Sequence, residues 1–206
     1  MKVAPVGAYL AATSPNGTHE LSAEATRFLV DLAQMTHFTS LGVASGLCQT
    51  VALLECLRSA PAHFQVESFI QAVVAAARHG QQVLTPTASA PDLAQRLLAL
   101  SDHGQYDTSR IITEFNGSSL VSHSLPFTYM FFVKNPHSID SLYDCVSAGG
   151  DTDSNGSMLA ALLGALHGTA VFPKYLVDEL SNREVVFDVA SRFCDLLNLE
   201  PKRARY

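Results

Sequence analysis

The chain has 206 residues, of which 48% are hydrophobic and 16% are charged. This composition indicates an ordered globular protein and excludes an intrinsically disordered one. The net charge of −6 argues against nucleic-acid binding, which favours clustered lysines and arginines. No uninterrupted apolar run reaches the ~18 residues that a membrane-spanning helix requires, so neither nucleic acid nor a membrane is an expected partner.

Apolar residues recur at helical spacing along most of the chain. The predicted helices, in chain order, cover 21–35, Ser40–Leu57, 66–79, 90–100, 125–133, 139–146, 155–168, a short segment after Pro173, and 185–197. Ser22 is the predicted cap of the first, and Ser40–Leu57 is predicted to be central because it is apolar on all sides. Irregular segments are predicted at Thr13–Glu20, Leu84–Ala90 and Ser101–Thr108. Without any alternating strand pattern, the sequence predicts one compact all-α domain over residues 1–206.

Two features bear on the compartment. The apolar run near the N-terminus is interrupted by Pro5 and Gly7, which disfavours a signal peptide. No two cysteines form a C-x-x-C pair. The chain has four of them, Cys48, Cys56, Cys145 and Cys194. We therefore expect free, buried thiols in a cytoplasmic protein.

The segment Ala148–Ser154, here called the aspartate turn, contains the most distinctive chemistry. Asp151 and Asp153 follow the glycine pair Gly149-Gly150 and precede a helix of small residues. Helix capping needs only one such side chain, whereas two neighbouring carboxylates repel each other unless a cation or a proton lies between them. Hard oxygen ligands at this spacing suit Mg²⁺, Mn²⁺ or Ca²⁺, so a metal site is predicted, with capping as the alternative.

A calcium-binding EF-hand loop is a rival interpretation, because Asp151, Asp153, Asn155 and Gly156 match the first half of its pattern. That loop needs a glutamate at its twelfth position, where this chain has Leu162. The EF-hand interpretation therefore fails.

Other polar patterns are weaker. His37 follows a predicted helix and could face a cavity, although a structural role is the more common one for a lone histidine. The chain has no H-x-x-x-H zinc pattern and no glycine-rich phosphate loop of the Walker or dinucleotide type. The segment Ser122-His123-Ser124 lacks the G-x-S-x-G frame of a serine hydrolase.

Several segments together resemble the ADP-ribosylglycohydrolase family, which includes the enzyme that removes ADP-ribose from dinitrogenase reductase. The resemblance covers nearly the whole chain. It is carried by Gly149-Gly150-Asp151-Thr152-Asp153-Ser154, Gly164-Ala165-Leu166-His167-Gly168, Phe172-Pro173, Met1–Gly7, Thr36-His37 and Leu125–Tyr129.

The resemblance implies an all-α fold, a pair of Mg²⁺ or Mn²⁺ ions, and hydrolysis of the bond between ADP-ribose and an acceptor. It implies that Asp151, Asp153 and Ser154 are metal ligands. It also implies that His37, Gly149 and Gly150 bind the ADP-ribose part of the substrate. No residue is assigned as catalytic.

The chain also departs from the family pattern. In the family, the segment resembling Met1–Gly7 lies well inside the chain, after an acidic-threonine metal motif, an acidic residue near the reaction centre and a Gly-Asn-Gly phosphate loop. The resemblance is therefore to the C-terminal part of such enzymes, and we expect an incomplete site that holds a cation weakly.

Two functions remain open at this point. One is metal-dependent hydrolysis of ADP-ribosyl bonds, with further ligands supplied from elsewhere. The other is a non-catalytic remnant with a structural or interaction role, as in a crystallin-like protein. In either case we expect an apolar surface on helices such as Ser40–Leu57, covered by a protein partner or by self-association.

Overall fold

The computed structural model describes residues 2–14, 21–84 and 90–197, and this part of the chain is helical throughout, without a strand. Its α-helices are α1 (Ala4–Thr13), α2 (Ala23–Gln34), α3 (Ser40–Arg58), α4 (Val66–Val83), α5 (Leu93–Leu98), α6 (Thr108–Phe115), α7 (Val121–Lys134), α8 (Asp140–Ser147), α9 (Thr152–His167), α10 (Lys174–Asp178) and α11 (Arg183–Leu196). Three short 3₁₀ helices connect them, at Pro61–His63, Ala99–Gln105 and Gly168–Val171. The predicted all-α fold is confirmed.

Four helices begin at a residue whose side chain accepts a hydrogen bond from a backbone N–H three residues later. These caps are Ser22 for α2, Thr39 for α3, Asp92 for α5 and Asp107 for α6. Such bonds satisfy N–H groups that have no partner within the helix. The predicted cap at Ser22 is confirmed.

Helix α3 is the centre of the fold, as predicted. Thirteen of its nineteen residues are buried, and it packs against α1, α2, α4, α7 and α9. By length and composition α3 could cross a membrane, but 72% of its apolar window is buried inside the protein. The expectation that α3 would expose an apolar face is therefore wrong, because neighbouring helices cover it.

The main core lies between α3, α4, α5, α7 and α9. Its aromatic centre brings Phe69 within 5.5 Å of Tyr129 and 5.2 Å of Phe132, measured between ring centroids. A second cluster joins α1 and α2 to the outer side of α3. Helices α7 and α9 belong to the main core, where they pack against each other and against α3 and α8.

The structure adds elements that the periodicity did not predict. Helix α1 occupies the N-terminal apolar run and buries Gly7 and Leu10. The segment Ser101–Thr108, predicted to be irregular, mostly belongs to a 3₁₀ helix, and α6 follows it with Ile111 and Phe115 buried. Most of the other two predicted irregular segments lies outside the described residues.

Helix α11 differs from all the longer helices because none of its residues is buried. Its valines Val185, Val186 and Val189 are 62%, 48% and 59% exposed. Phe193 of this helix lines a groove formed with residues of α1 and α2. Among the described residues, α11 carries several large exposed apolar side chains, whereas α3 carries none.

The crossing of α3 and α4 yields a stability prediction for Gly80→Ala. An added Cβ would lie 2.5 Å from the Ala44 Cα, and backbone cannot move aside as a flexible side chain can. Overpacking of this kind costs about 1–3 kcal/mol, which outweighs the gain of up to ~1 kcal/mol in helix propensity. Urea unfolding should show a lower free energy of unfolding for this variant.

Gly104→Ala is the matched control, because a Cβ there meets no atom within 4 Å. We expect its free energy of unfolding to stay within about 0.5 kcal/mol of the wild-type value. Equal stabilities for the two variants would contradict the proposed close crossing of α3 and α4.

Candidate functional site

The aspartate turn connects the end of α8 to the start of α9. Gly149 and Gly150 have φ angles of 86° and 80°, in the left-handed region that glycine adopts without strain. Asp151 occupies the N-cap position of α9, and Asp153 lies in the first turn of that helix. The glycine pair therefore reverses the chain so that both aspartates stand at the beginning of α9.

Helix capping does not account for Asp151. Unlike the residues at the start of α2, α3, α5 and α6, it makes no side-chain cap hydrogen bond. Its backbone N–H instead donates to the carbonyl oxygen of Gly117, at 2.8 Å. The carboxylate of Asp151 is thus not used to complete the helix.

The carboxyl groups of Asp151 and Asp153 influence each other. Interaction with the Asp151 carboxyl group is the main cause that lowers the pKa of Asp153, and the backbone N–H of Ser154 adds to it at 2.7 Å. Asp153 is exposed and Asp151 is half-buried. Two acidic side chains this close, at an open surface, form the kind of oxygen pair that a divalent cation can bridge.

The loop around Gly117 is packed directly against the turn. Asn116 and Gly117 both have positive φ angles, 63° and 59°. A Cβ added at Gly150 would overlap the carbonyl oxygen of Gly117, whereas one added at Gly149 meets nothing within 4 Å. The two glycines therefore differ: Gly150 allows a backbone contact, and Gly149 borders open space.

A buried amide completes this junction. Asn155 is fully buried, and its Nδ2 donates to the Gly117 carbonyl oxygen at 2.7 Å. Its Oδ1 accepts a hydrogen bond from the Thr128 hydroxyl of α7, at 3.3 Å. Apolar spacing does not reveal this role of Asn155, and the one local signal is the Asn116-Gly117 dipeptide, which is typical of a turn.

Small residues let α9 approach its neighbours closely. A Cβ at Gly156 would be 3.1 Å from Val146 Cγ2 of α8, and one at Gly164 would be 3.5 Å from the ring of Phe172. The small residues after the turn therefore allow α9 to pack closely against its neighbours.

His37 lies in the short connection between α2 and α3. Its side chain is exposed, and its Nδ1 is 2.9 Å from the hydroxyl of Thr36. Thr36 in turn accepts a hydrogen bond from the ammonium group of Lys2, at 2.8 Å. Two of the segments that resembled one family, Met1–Gly7 and Thr36-His37, therefore meet at this point.

Among the described residues, no hydrogen bond or ion pair joins His37 to the aspartate turn. That His37 and the aspartate turn bind one substrate together, as the family resemblance implies, thus stays a prediction. Two cavities of about 660 and 710 Å³ lie elsewhere, the first between α3 and α4 and the second between α1 and α2.

The described part of the chain contains no group of three or more His, Cys, Asp or Glu side chains that could hold a metal ion. The turn itself offers the carboxylates of Asp151 and Asp153 and the hydroxyl of Ser154. These hard oxygen donors suit Mg²⁺ or Mn²⁺ in kind, and an ion bound here would need further ligands from water, from substrate or from other protein groups.

The two glycines of the turn provide a matched pair of variants. Gly149→Ala and Gly150→Ala both place a side chain at positive φ, which costs about 1–3 kcal/mol. Only Gly150→Ala also collides with Gly117, so its free energy of unfolding should fall further, by about 1–3 kcal/mol. Urea unfolding of both variants measures the difference, and equal losses would argue against close packing of the turn on the loop.

Comparison with known proteins places the chain in a family. The sequence model of ADP-ribosylglycohydrolases matches residues 1–204, which is almost all of the chain. A search of individual curated proteins gave no significant match. The match to the family over nearly the full length agrees with the helical fold and with the aspartate turn, and the chain belongs to the ADP-ribosylglycohydrolase family.

Proposed function

We propose that this protein hydrolyses the bond between ADP-ribose and an acceptor, with a divalent cation bound at the aspartate turn. The observation that carries the proposal is the pair of adjoining carboxyl groups of Asp151 and Asp153, of which Asp151 does not cap α9. Membership of the ADP-ribosylglycohydrolase family supports an ADP-ribosylated molecule as the substrate.

The proposed ligands are the carboxylates of Asp151 and Asp153 and the hydroxyl of Ser154. Mg²⁺ or Mn²⁺ held there would lower the pKa of a bound water and orient substrate oxygens. A fixed position for such an ion is supported by the Gly117 carbonyl oxygen, which accepts hydrogen bonds from the Asp151 N–H of the turn and from Asn155 just after it.

We propose that the substrate lies beside Gly149 and His37. Gly149 borders open space, which leaves room for a sugar or phosphate group to approach the backbone. His37 presents an exposed imidazole whose ring is oriented by the Thr36 hydroxyl. Gly150 was also predicted to bind substrate. Its lack of a side chain has a packing role in addition, because the backbone of Gly117 occupies the space that a Cβ would need.

A non-catalytic family member is the second candidate. It is favoured by the small number of ligands at the turn, two carboxylates and one hydroxyl, since a hard divalent cation usually takes six or more oxygens. Such a protein would keep the fold and the packed turn but would bind ions weakly and would not turn over substrate. Such a protein would then have a structural role, or it would bind a partner through its surface.

We also propose a cytoplasmic location. The described cysteines are all free, and three of them are buried. Burial raises the pKa of Cys145 to about 12, so this thiol stays protonated and unreactive at neutral pH. Unpaired thiols of this kind are typical of a reducing compartment.

Replacing the two carboxylates tests the proposed function directly. The double variant Asp151→Asn/Asp153→Asn should lose Mn²⁺ binding, measured by electron paramagnetic resonance, because amides are much weaker ligands for a hard cation. It should also lose hydrolysis of ADP-ribosylated arginine and serine peptides. The control is Asp188→Asn, an exposed aspartate of α11 that pairs with Arg192.

Wild-type protein that binds Mn²⁺ and releases ADP-ribose, with both activities lost only in the double variant, supports the hydrolase proposal. Equal background from the wild type and the double variant would refute it and favour the non-catalytic candidate.

His37→Ala tests the proposed substrate contact. Loss of a hydrogen bond to a charged phosphate group costs about 1.5–3 kcal/mol, so the Kd for ADP-ribose should rise at least tenfold. Isothermal titration calorimetry measures this change. His63→Ala, which removes another exposed histidine, should leave the Kd unchanged. Equal Kd values for the two variants would remove His37 from the proposed site.

A further inference from the structure

We infer that Asn155 is a positioning residue for the aspartate turn, holding Asp151 and Asp153 in place before any cation binds. This inference rests on the proposed function, because it concerns the same two carboxylates. Asn155 itself is fully buried and does not belong to the predicted ligands.

The first step of the argument is the shared acceptor. The carbonyl oxygen of Gly117 accepts one hydrogen bond from the Asp151 N–H, at 2.8 Å, and a second from Asn155 Nδ2, at 2.7 Å. The backbone of Asp151 is therefore fixed relative to the loop, and the amide of Asn155 fixes the loop relative to α9. A small movement of Gly117 would move Asp151 with it.

The second step is the orientation of the amide. The Gly117 carbonyl oxygen can only accept, so Asn155 directs its Nδ2 at that oxygen and leaves its Oδ1 to accept from the Thr128 hydroxyl. Both Thr128 and Asn155 are fully excluded from solvent. A side chain without both a donor and an acceptor would leave buried polar groups unpaired, which costs free energy and loosens the junction.

A second buried amide provides a comparison within the same protein. Gln49 of α3 accepts a hydrogen bond from the Tyr129 hydroxyl, at 3.0 Å, and donates to the carbonyl oxygen of Met158 in α9, at 3.4 Å. The chemistry is the same as at Asn155, namely a hydroxyl of α7, an amide and a backbone carbonyl. Met158, however, lies about two turns into α9, away from the aspartate turn.

Outer groups that orient metal ligands typically contribute 10–100-fold to metal affinity. The prediction is therefore that Asn155 affects the position of the turn and the affinity for the ion, whereas Gln49 affects only stability. A purely structural role would make the two amides equivalent.

The experiment compares Asn155→Leu with Gln49→Met in the full chain, each an apolar replacement of similar size. Thermal unfolding establishes that each variant folds, and both should lose stability. Mn²⁺ titration without substrate, followed by electron paramagnetic resonance, should show a Kd raised about 10–100-fold for Asn155→Leu and unchanged for Gln49→Met. Amide hydrogen exchange of Asp151 in the metal-free protein should become faster only in Asn155→Leu.

A folded Asn155→Leu protein with wild-type Mn²⁺ affinity and wild-type exchange at Asp151 would overturn the inference, as would an equal loss of affinity in Gln49→Met. If Asn155→Leu does not fold, Thr128→Val removes only the hydroxyl that donates to Asn155 Oδ1 and should show the same two changes, more weakly. Wild-type protein that binds no Mn²⁺ would refute the proposed function, and the exchange of Asp151 would then decide the positioning role alone.

Discussion

The carbonyl oxygen of Gly117 is the point on which the candidate site depends. It accepts hydrogen bonds from the backbone of Asp151 and from the side chain of Asn155, so one atom joins the loop before α7 to the turn before α9. Gly117 and Gly150 must both lack side chains for this contact to form, since a Cβ on Gly117 would meet the Phe127 ring at 2.9 Å and one on Gly150 would overlap Gly117. The positions of Asp151 and Asp153 therefore depend on the contact between the backbones of Gly117 and the aspartate turn.

Helix α7 supplies the polar groups that organise the interior around this point. Its consecutive residues Thr128 and Tyr129 direct their hydroxyls to two different helices, reaching Asn155 in α9 and Gln49 in α3. Because successive helical residues point in directions about 100° apart, one helix can serve both neighbours. Buried networks of this kind give a helical bundle a unique arrangement that apolar packing alone leaves less well defined.

Sequence patterns predicted the all-α fold, whereas the metal and substrate roles assigned to the aspartate turn and His37 stay predictions. Burial of α3, the Ser22 cap and the aspartate turn followed from apolar spacing and from the chemistry of single side chains. The role of Asn155 could not be predicted, because its partner Gly117 acts through a carbonyl oxygen, which every residue possesses. Helix α6 was missed for a different reason, since it is only eight residues long and buries two apolar side chains. Whether His37 reaches the turn depends on how distant segments fold together, which periodicity does not encode.

The exposure of helix α11 affects how proteases would degrade the protein. A fourteen-residue helix is marginally stable in water by itself, and α11 gains little from packing because none of its residues is buried. Its backbone can therefore open without disturbing α3, α7 or α9. A protease would cut there at a rate set by this local opening rather than by unfolding of the whole protein, and the core around the aspartate turn would outlast the cut.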